Sequence, residues 1–121
     1  MKTTEAVSAL SALAQDTRLD VFRLLVQQGS SGLAAGEIAE HLGVSPATLS
    51  FHLKELAHAR LVTARQDGRF VFYGANYRAM NSLLAFLTEN CCAADGGACA
   101  PNSAACASST GNRKSRKKET T

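Results

Sequence analysis

Residues 37 to 58 constrain this chain more than any other stretch. Glu37 to Leu42 reads as a short helix with Ile38, Ala39 and Leu42 turned inward, and Gly43 ends it in a tight turn. Ser45-Pro46 then starts a second helix. A side-chain cap is followed by proline, whose missing N–H and preset φ suit the first helical position. Leu49, Leu53 and Leu56 give that helix its buried stripe. Just downstream, Leu61 to Arg65 turns extended, Asp67-Gly68 is a hairpin-turn signal, and Arg69 to Tyr73 returns with β-branched and aromatic residues.

The flanks are helical. Val7, Leu10, Leu13 and Ala14 form one apolar stripe over residues 4 to 14. Asp16 can cap a helix carrying Leu19, Phe22, Leu25 and Val26, which Gly29 stops before a Ser30-Ser31-Gly32 loop. A last helix is expected from about Tyr77 to Asn90, with Met80, Leu83, Leu84 and Leu87 on one side. The sum is a mainly α fold with a small β-hairpin, in the order of a winged helix-turn-helix.

After Cys92 the composition shifts to Ala, Gly, Ser, Asn and Cys without periodicity. We therefore expect a DNA-binding and dimerisation domain over residues 1–92 and a flexible cysteine-containing, basic tail over 93–121. With 121 residues, 45% of them hydrophobic, there is apolar surface for one core. No apolar run approaches a membrane span, and Met1 to Ala14 lacks the pattern of a secretion signal, so a cytoplasmic protein without membrane contact is expected. In that compartment four cysteines favour free thiols or metal ligands over structural disulfides.

The net charge of +3 is unevenly spread: five of the thirteen basic residues and one of the ten acidic ones lie in residues 113–121, leaving eight against nine elsewhere. DNA affinity must then come from the placement of charges and from the tail. On the helix after Ser45, Ala47, Phe51, Lys54 and His58 fall opposite Leu49, with Thr48 and Glu55 beside them. Such a face fits a major groove, with Thr48 and Ser50 in the first turns near base edges. Ser45 caps the helix and also touches phosphate. Phe51 either meets a thymine methyl or packs on the preceding turn or the wing. His52 lies nearer the core, with a structural or phosphate-facing role. Arg65 and Arg69 bring the hairpin to the DNA backbone or minor groove. Arg18 is expected to pair with Asp16 or Asp20.

These segments resemble the ArsR/SmtB family of metalloregulatory repressors. The resemblance is carried by Ala12-Leu13-Ala14-Gln15-Asp16-Thr17-Arg18-Leu19 with Leu24-Leu25, and by Gly36-Glu37-Ile38-Ala39. It continues through Gly43 to Lys54 and through Ala59-Arg60-Leu61-Val62 into Asp67-Gly68-Arg69 and Tyr73. The family implies homodimers on palindromic operators that leave double-stranded DNA when a toxic metal or metalloid binds. The apolar stripes of the first and last helices also call for a partner, since one small core leaves them uncovered.

Two ligand sites of the family are absent. Where one branch has a cysteine pair in the third helix, this chain has Ala34 and Gly36, with Ala39 beyond. Where another has His and Asp or Glu ligands on the last helix, residues 77–90 hold only Glu89. Cys91-Cys92 followed by Cys99 resembles a further branch that senses arsenite through three thiolates.

Soft thiolates select thiophilic ions. Trivalent arsenic takes three sulfurs in a pyramid, so Cys91, Cys92 and Cys99 would hold As(III) as inducer, or Sb(III), with no organic cofactor. Cadmium, lead or zinc would take four donors, with Cys106 as the fourth. A thiol-redox-switched repressor is a third reading. An arsenate reductase with Cys91 as nucleophile lacks the helix N-terminus or Gly-rich loop that would lower a thiol pKa, so no enzyme is expected. A nucleoid-type architectural protein using the basic tail is the remaining alternative.

Overall fold

The computed structural model describes residues 1–95, which form α1 (Thr3–Leu13), α2 (Asp16–Gln28), β1 (Leu33–Ala34), α3 (Ala35–Leu42), α4 (Pro46–His58), β2 (Val62–Asp67), β3 (Phe70–Ala75) and α5 (Tyr77–Leu87), followed by a single 3₁₀ turn at Ala93–Asp95. The chain divides into two units, Met1–Leu83 and Leu84–Thr121, with the boundary inside α5.

In the first unit, α3 and α4 meet at the turn the sequence marks. Gly43 takes the left-handed conformation at φ +65°, and its N–H donates to the Ala39 carbonyl. Ser45 Oγ then accepts from the Thr48 N–H at 3.2 Å, with Pro46 as the first helical residue. Leu49, Leu53 and Leu56 turn inward and are buried, as are Ile38 of α3, Val21 and Leu25 of α2, and Leu61. Burial of each large aliphatic side chain contributes roughly 1.5–3 kcal/mol. α3 begins at Ala35, two residues before the expected Glu37, because Glu37 Oε1 accepts from the Ala34 N–H at 2.9 Å and caps the helix from inside.

The hairpin joins a three-stranded antiparallel sheet of order β1-β3-β2. Its closing pair is Asp67↔Phe70, so the two-residue turn is Gly68-Arg69, one position later than the Asp67-Gly68 signal suggests. Gly68 supplies the positive φ, +65°, at the first turn position. β1 has no clear mark in the sequence. Leu33 and Ala34 pair with Tyr73 and Phe72, and Gly32 lets the chain approach β3. With φ +73° at Gly32, a Cβ there would lie 2.6 Å from the Tyr73 carbonyl oxygen.

Two helix faces differ from expectation. α1 buries Ala6, Ala9 and Ala12 against α2 and α4, while Val7 and Leu10 are 54% and 42% exposed. Small residues let helices approach closely, so the alanines face the core and the larger stripe is left outside. α2 is capped by Gln15, whose side chain accepts from the Arg18 N–H at 2.9 Å, and Asp16 is its first residue rather than its cap. Leu19 is exposed and Val21 is buried in its stead. The first turns of α5 are anchored by Tyr77 Oη, which donates to the Val26 carbonyl at 2.8 Å and satisfies the C-terminus of α2.

The second unit starts with the last turn of α5, where Leu84 and Leu87 are exposed. The helix stops at Leu87, short of the expected Asn90, with Thr88 Oγ1 donating to the Leu84 carbonyl at 2.9 Å. Asn90 and Cys92 take positive φ, +59° and +62°, and turn the chain away from helical geometry. No helix among the described residues is long and apolar enough to cross a membrane.

Candidate nucleic-acid interface and thiol site

The sequence folds α4 so that its two faces carry opposite duties. Leu49, His52, Leu53 and Leu56 are buried; Ala47, Thr48, Ser50, Phe51, Lys54 and His58 are exposed. The first turn is ordered by hydroxyls: Ser45 Oγ donates to Thr48 Oγ1 at 2.9 Å while accepting from the backbone at the same residue. Phe51 is 57% exposed, yet its ring edge meets the His52 ring at a centroid distance of 5.5 Å. Phe51 thus packs on the residue that follows it, not on the preceding turn or the wing, and leaves more than half of its surface outward.

His52 is only 8% exposed and does not reach the outer face of the helix. Its Nδ1 lies 3.4 Å from Arg18 Nη1, and Arg18 Nε donates to the Ala12 carbonyl at 2.7 Å. Arg18 therefore bridges the end of α1 to α4 and does not pair with Asp16 or Asp20. Among the described residues the ion pair present is Arg65–Asp67, at 3.7 Å, and both side chains are exposed, so it is worth little.

On the wing, Arg69 stands exposed in the turn. Arg65 is more constrained. Its Nη2 donates to the Ser31 carbonyl at 3.2 Å, and its guanidinium lies 5.0 Å from the centroid of the Phe72 ring. The loop of Ser30, Ser31 and Gly32 and the wing are thus joined through one side chain, a contact the sequence does not announce.

The second unit brings Cys91 and Cys92 together. Adjacent residues of an ideal helix diverge, but both cysteines follow the end of α5, and their Sγ atoms are 3.5 Å apart. Cys91 is half-buried, Cys92 is exposed, and both are free thiols. The hydrogen bond that the Cys91 thiol makes to Cys92 holds it above its ordinary pKa, because ionisation of Cys91 would break it. Cys99, Cys106 and the basic run 113–118 lie outside the described residues, and no group of three or more His, Cys, Asp or Glu side chains gathers among the described ones.

A helix-turn-helix domain family model matches residues 13–65 of this chain. The arsenical resistance operon repressor of Staphylococcus aureus is 32% identical over 84 residues, which are 69% of this chain and 78% of that protein. The nodulation protein NolR of Rhizobium meliloti is also 32% identical over 84 residues, and there the chain spans 66% of the relative's length, just under two thirds. The solved structure of an ArsR-like transcriptional regulator from Rhodococcus sp. RHA1 matches with a TM-score of 0.66 at 27% identity, over 77% of this chain and 85% of its own. The fold and the polar outer face of α4 define a winged helix-turn-helix transcriptional regulator. This chain belongs to the ArsR/SmtB family of such regulators.

Proposed function

We propose that this protein is an operator-binding repressor that trivalent arsenic releases from double-stranded DNA. The observation that carries the reading is the Cys91–Cys92 pair, whose sulfurs already stand 3.5 Å apart where α5 has ended. Thiophilic ions prefer such donors, and a third thiolate from Cys99 completes a pyramid for arsenite or antimonite. Cys106 is dispensable in this reading; a four-donor site for cadmium, lead or zinc would need it. The arsenical resistance repressor of Staphylococcus aureus, with its 32% identity, supports the same choice.

The reading element is α4, with Ser45, Ala47, Thr48, Ser50, Phe51 and Lys54 toward the major groove. Arg65 and Arg69 reach the flanking backbone or minor groove, and His52 supports the helix from behind. The protein acts in the cytoplasm as a homodimer, since a palindromic site needs two reading helices. Val7 and Leu10 in the first unit, and Leu84 and Leu87 in the second, each leave apolar surface exposed that a second copy can cover. No catalytic step is assigned to it.

A gel-shift on the promoter of the protein's own operon, with metals and metalloids added singly, tests the reading. Release by arsenite at concentrations where cadmium, lead and zinc are inert supports it. Release by none of them, or by cadmium alone, overturns the inducer assignment and leaves the DNA-binding assignment standing.

A further inference from the structure

A groove of about 650 Å³ opens in the first unit between α1, the end of α4 and the start of α5, and the repressor reading makes no use of it. Its volume lies in the range of small-molecule sites. Glu5 and Ser8 of α1, His58 and Arg60 at the end of α4, and Arg78 and Ser82 of α5 line it. The lining carries two guanidiniums and one carboxylate. The carboxylate stays ionised: Glu5 Oε1 accepts from the Lys2 N–H at 2.7 Å, and that bond with the charges of the N-terminus, Lys2 and Arg60 holds it below the usual carboxylate range, so the groove's balance is one positive charge from the two guanidiniums and Glu5.

Arg60 occupies an unusual position. The Leu61 N–H donates to the Leu56 carbonyl and the Arg60 N–H to the Ala57 carbonyl, both at 3.0 Å, which is the Schellman pattern at a helix end. The residue at that point must be left-handed, and Arg60 has φ +64°. Glycine is the usual occupant, because it alone meets the requirement without strain. In the first unit Arg60 is the one non-glycine residue with positive φ. Its backbone is held by Asn76, whose Nδ2 donates to the Arg60 carbonyl at 2.9 Å and whose N–H donates to the Leu61 carbonyl at 2.8 Å. A long cationic residue thus stands where the backbone favours glycine, and it lines the groove. Strained residues held by their surroundings cluster at ligand sites.

We propose that this groove is a second ligand site, which takes a small oxyanion of the carboxylate or phosphate class between Arg60 and Arg78. The Ser8 and Ser82 hydroxyls offer further donors, and guanidiniums match both groups bidentately. Two other occupants fit less well. The basic run 113–118 has the wrong sign. A second copy would dock through the apolar Val7 and Leu10, which do not line the groove.

The test is thermal unfolding of the full-length reduced protein in rising sodium phosphate or sodium citrate, with sodium chloride at matched ionic strength as control. Binding to the folded state raises the midpoint by mass action. The expected result is a saturable rise with at least one oxyanion beyond the chloride control. Arg60→Gly should raise the midpoint without oxyanion, by removing strain, and abolish the oxyanion-dependent rise. Arg78→Ala should abolish that rise as well. The proposal is overturned if neither oxyanion exceeds chloride, or if both variants respond like the parent. It is also overturned if the midpoint depends on protein concentration in the parent and not in the variants, which would make a second copy the occupant. Arsenite-driven release is read in parallel, so loss of the oxyanion response with normal release separates this site from the thiolates.

Discussion

Arg18 Nη1 on α2 lies 3.4 Å from His52 Nδ1 on α4, while Arg18 Nε donates to the Ala12 carbonyl at the end of α1. Three helices therefore meet in one side chain, behind the exposed face of α4. Leaving a buried partner unsatisfied costs about 1–3 kcal/mol, so Arg18→Ala should lower the stability measured by urea unfolding by that order. His52→Ala and the double variant complete a cycle. The expected cycle is non-additive, with the double variant close to Arg18→Ala alone; additive losses would show that the two side chains do not act together.

Gly32→Ala is expected to destabilise the fold although Gly32 is in a loop. Positive φ at +73° and a Cβ 2.6 Å from the Tyr73 carbonyl oxygen oppose any side chain there. Backbone strain of this kind costs about 1–3 kcal/mol. Gly43→Ala shares the positive φ but has open space around it, so it should cost less. Comparison of the two thermal midpoints by circular dichroism checks the order.

The exposed face of α4 should carry sequence preference. Phe51→Ala or Thr48→Ala should change which operator variants bind best, with each lost base contact worth about 1–3 kcal/mol. Removal of residues 113–121 should instead weaken binding to all DNA alike and flatten the salt dependence. Competition binding against a panel of operator variants at several salt concentrations separates these effects. An unchanged salt slope in the truncated protein would remove the tail from the interface.

The thiol pair gives a pH signature. The hydrogen bond that Cys91 makes to Cys92 favours the protonated Cys91 thiol, so Cys91 should become reactive only above the pH at which an ordinary cysteine does. Its contribution to the folded state is present below the ordinary thiol pKa and fades as pH rises through the raised one. Alkylation followed by mass spectrometry over a pH series reads this directly. Cys92→Ala should move the Cys91 profile toward lower pH, and Cys92→Ser, which keeps an acceptor there, should move it less. In the same serine series, arsenite release should fail at positions 91, 92 and 99 and persist at 106; failure at 106 alone would favour a four-donor metal site.

Much of the helix-turn-helix was legible because its signals are local. Gly43, Ser45 and Pro46 each have one preferred backbone geometry, and Leu49, Leu53 and Leu56 repeat at the helical period. The hairpin was legible to within one residue, since Gly68 can enter the turn at either position. The cysteine pair could be read as convergent only if the helix ended before it, and it does end at Leu87.

Tertiary structure decided which of two apolar stripes each helix would bury. α1 offers both Val7 with Leu10 and Ala6 with Ala9 and Ala12, and periodicity cannot rank them; the close approach of α2 and α4 selects the alanines. Partners distant in sequence were equally hidden. Arg18 has acidic neighbours at positions 16 and 20 but finds a histidine 34 residues away, and Arg65 finds a loop carbonyl at the same separation. β1, too, exists only because β3 offers an edge on which Leu33 and Ala34 can pair. Local backbone preference is written residue by residue, whereas packing and long-range hydrogen bonds depend on which surfaces the completed fold brings into contact.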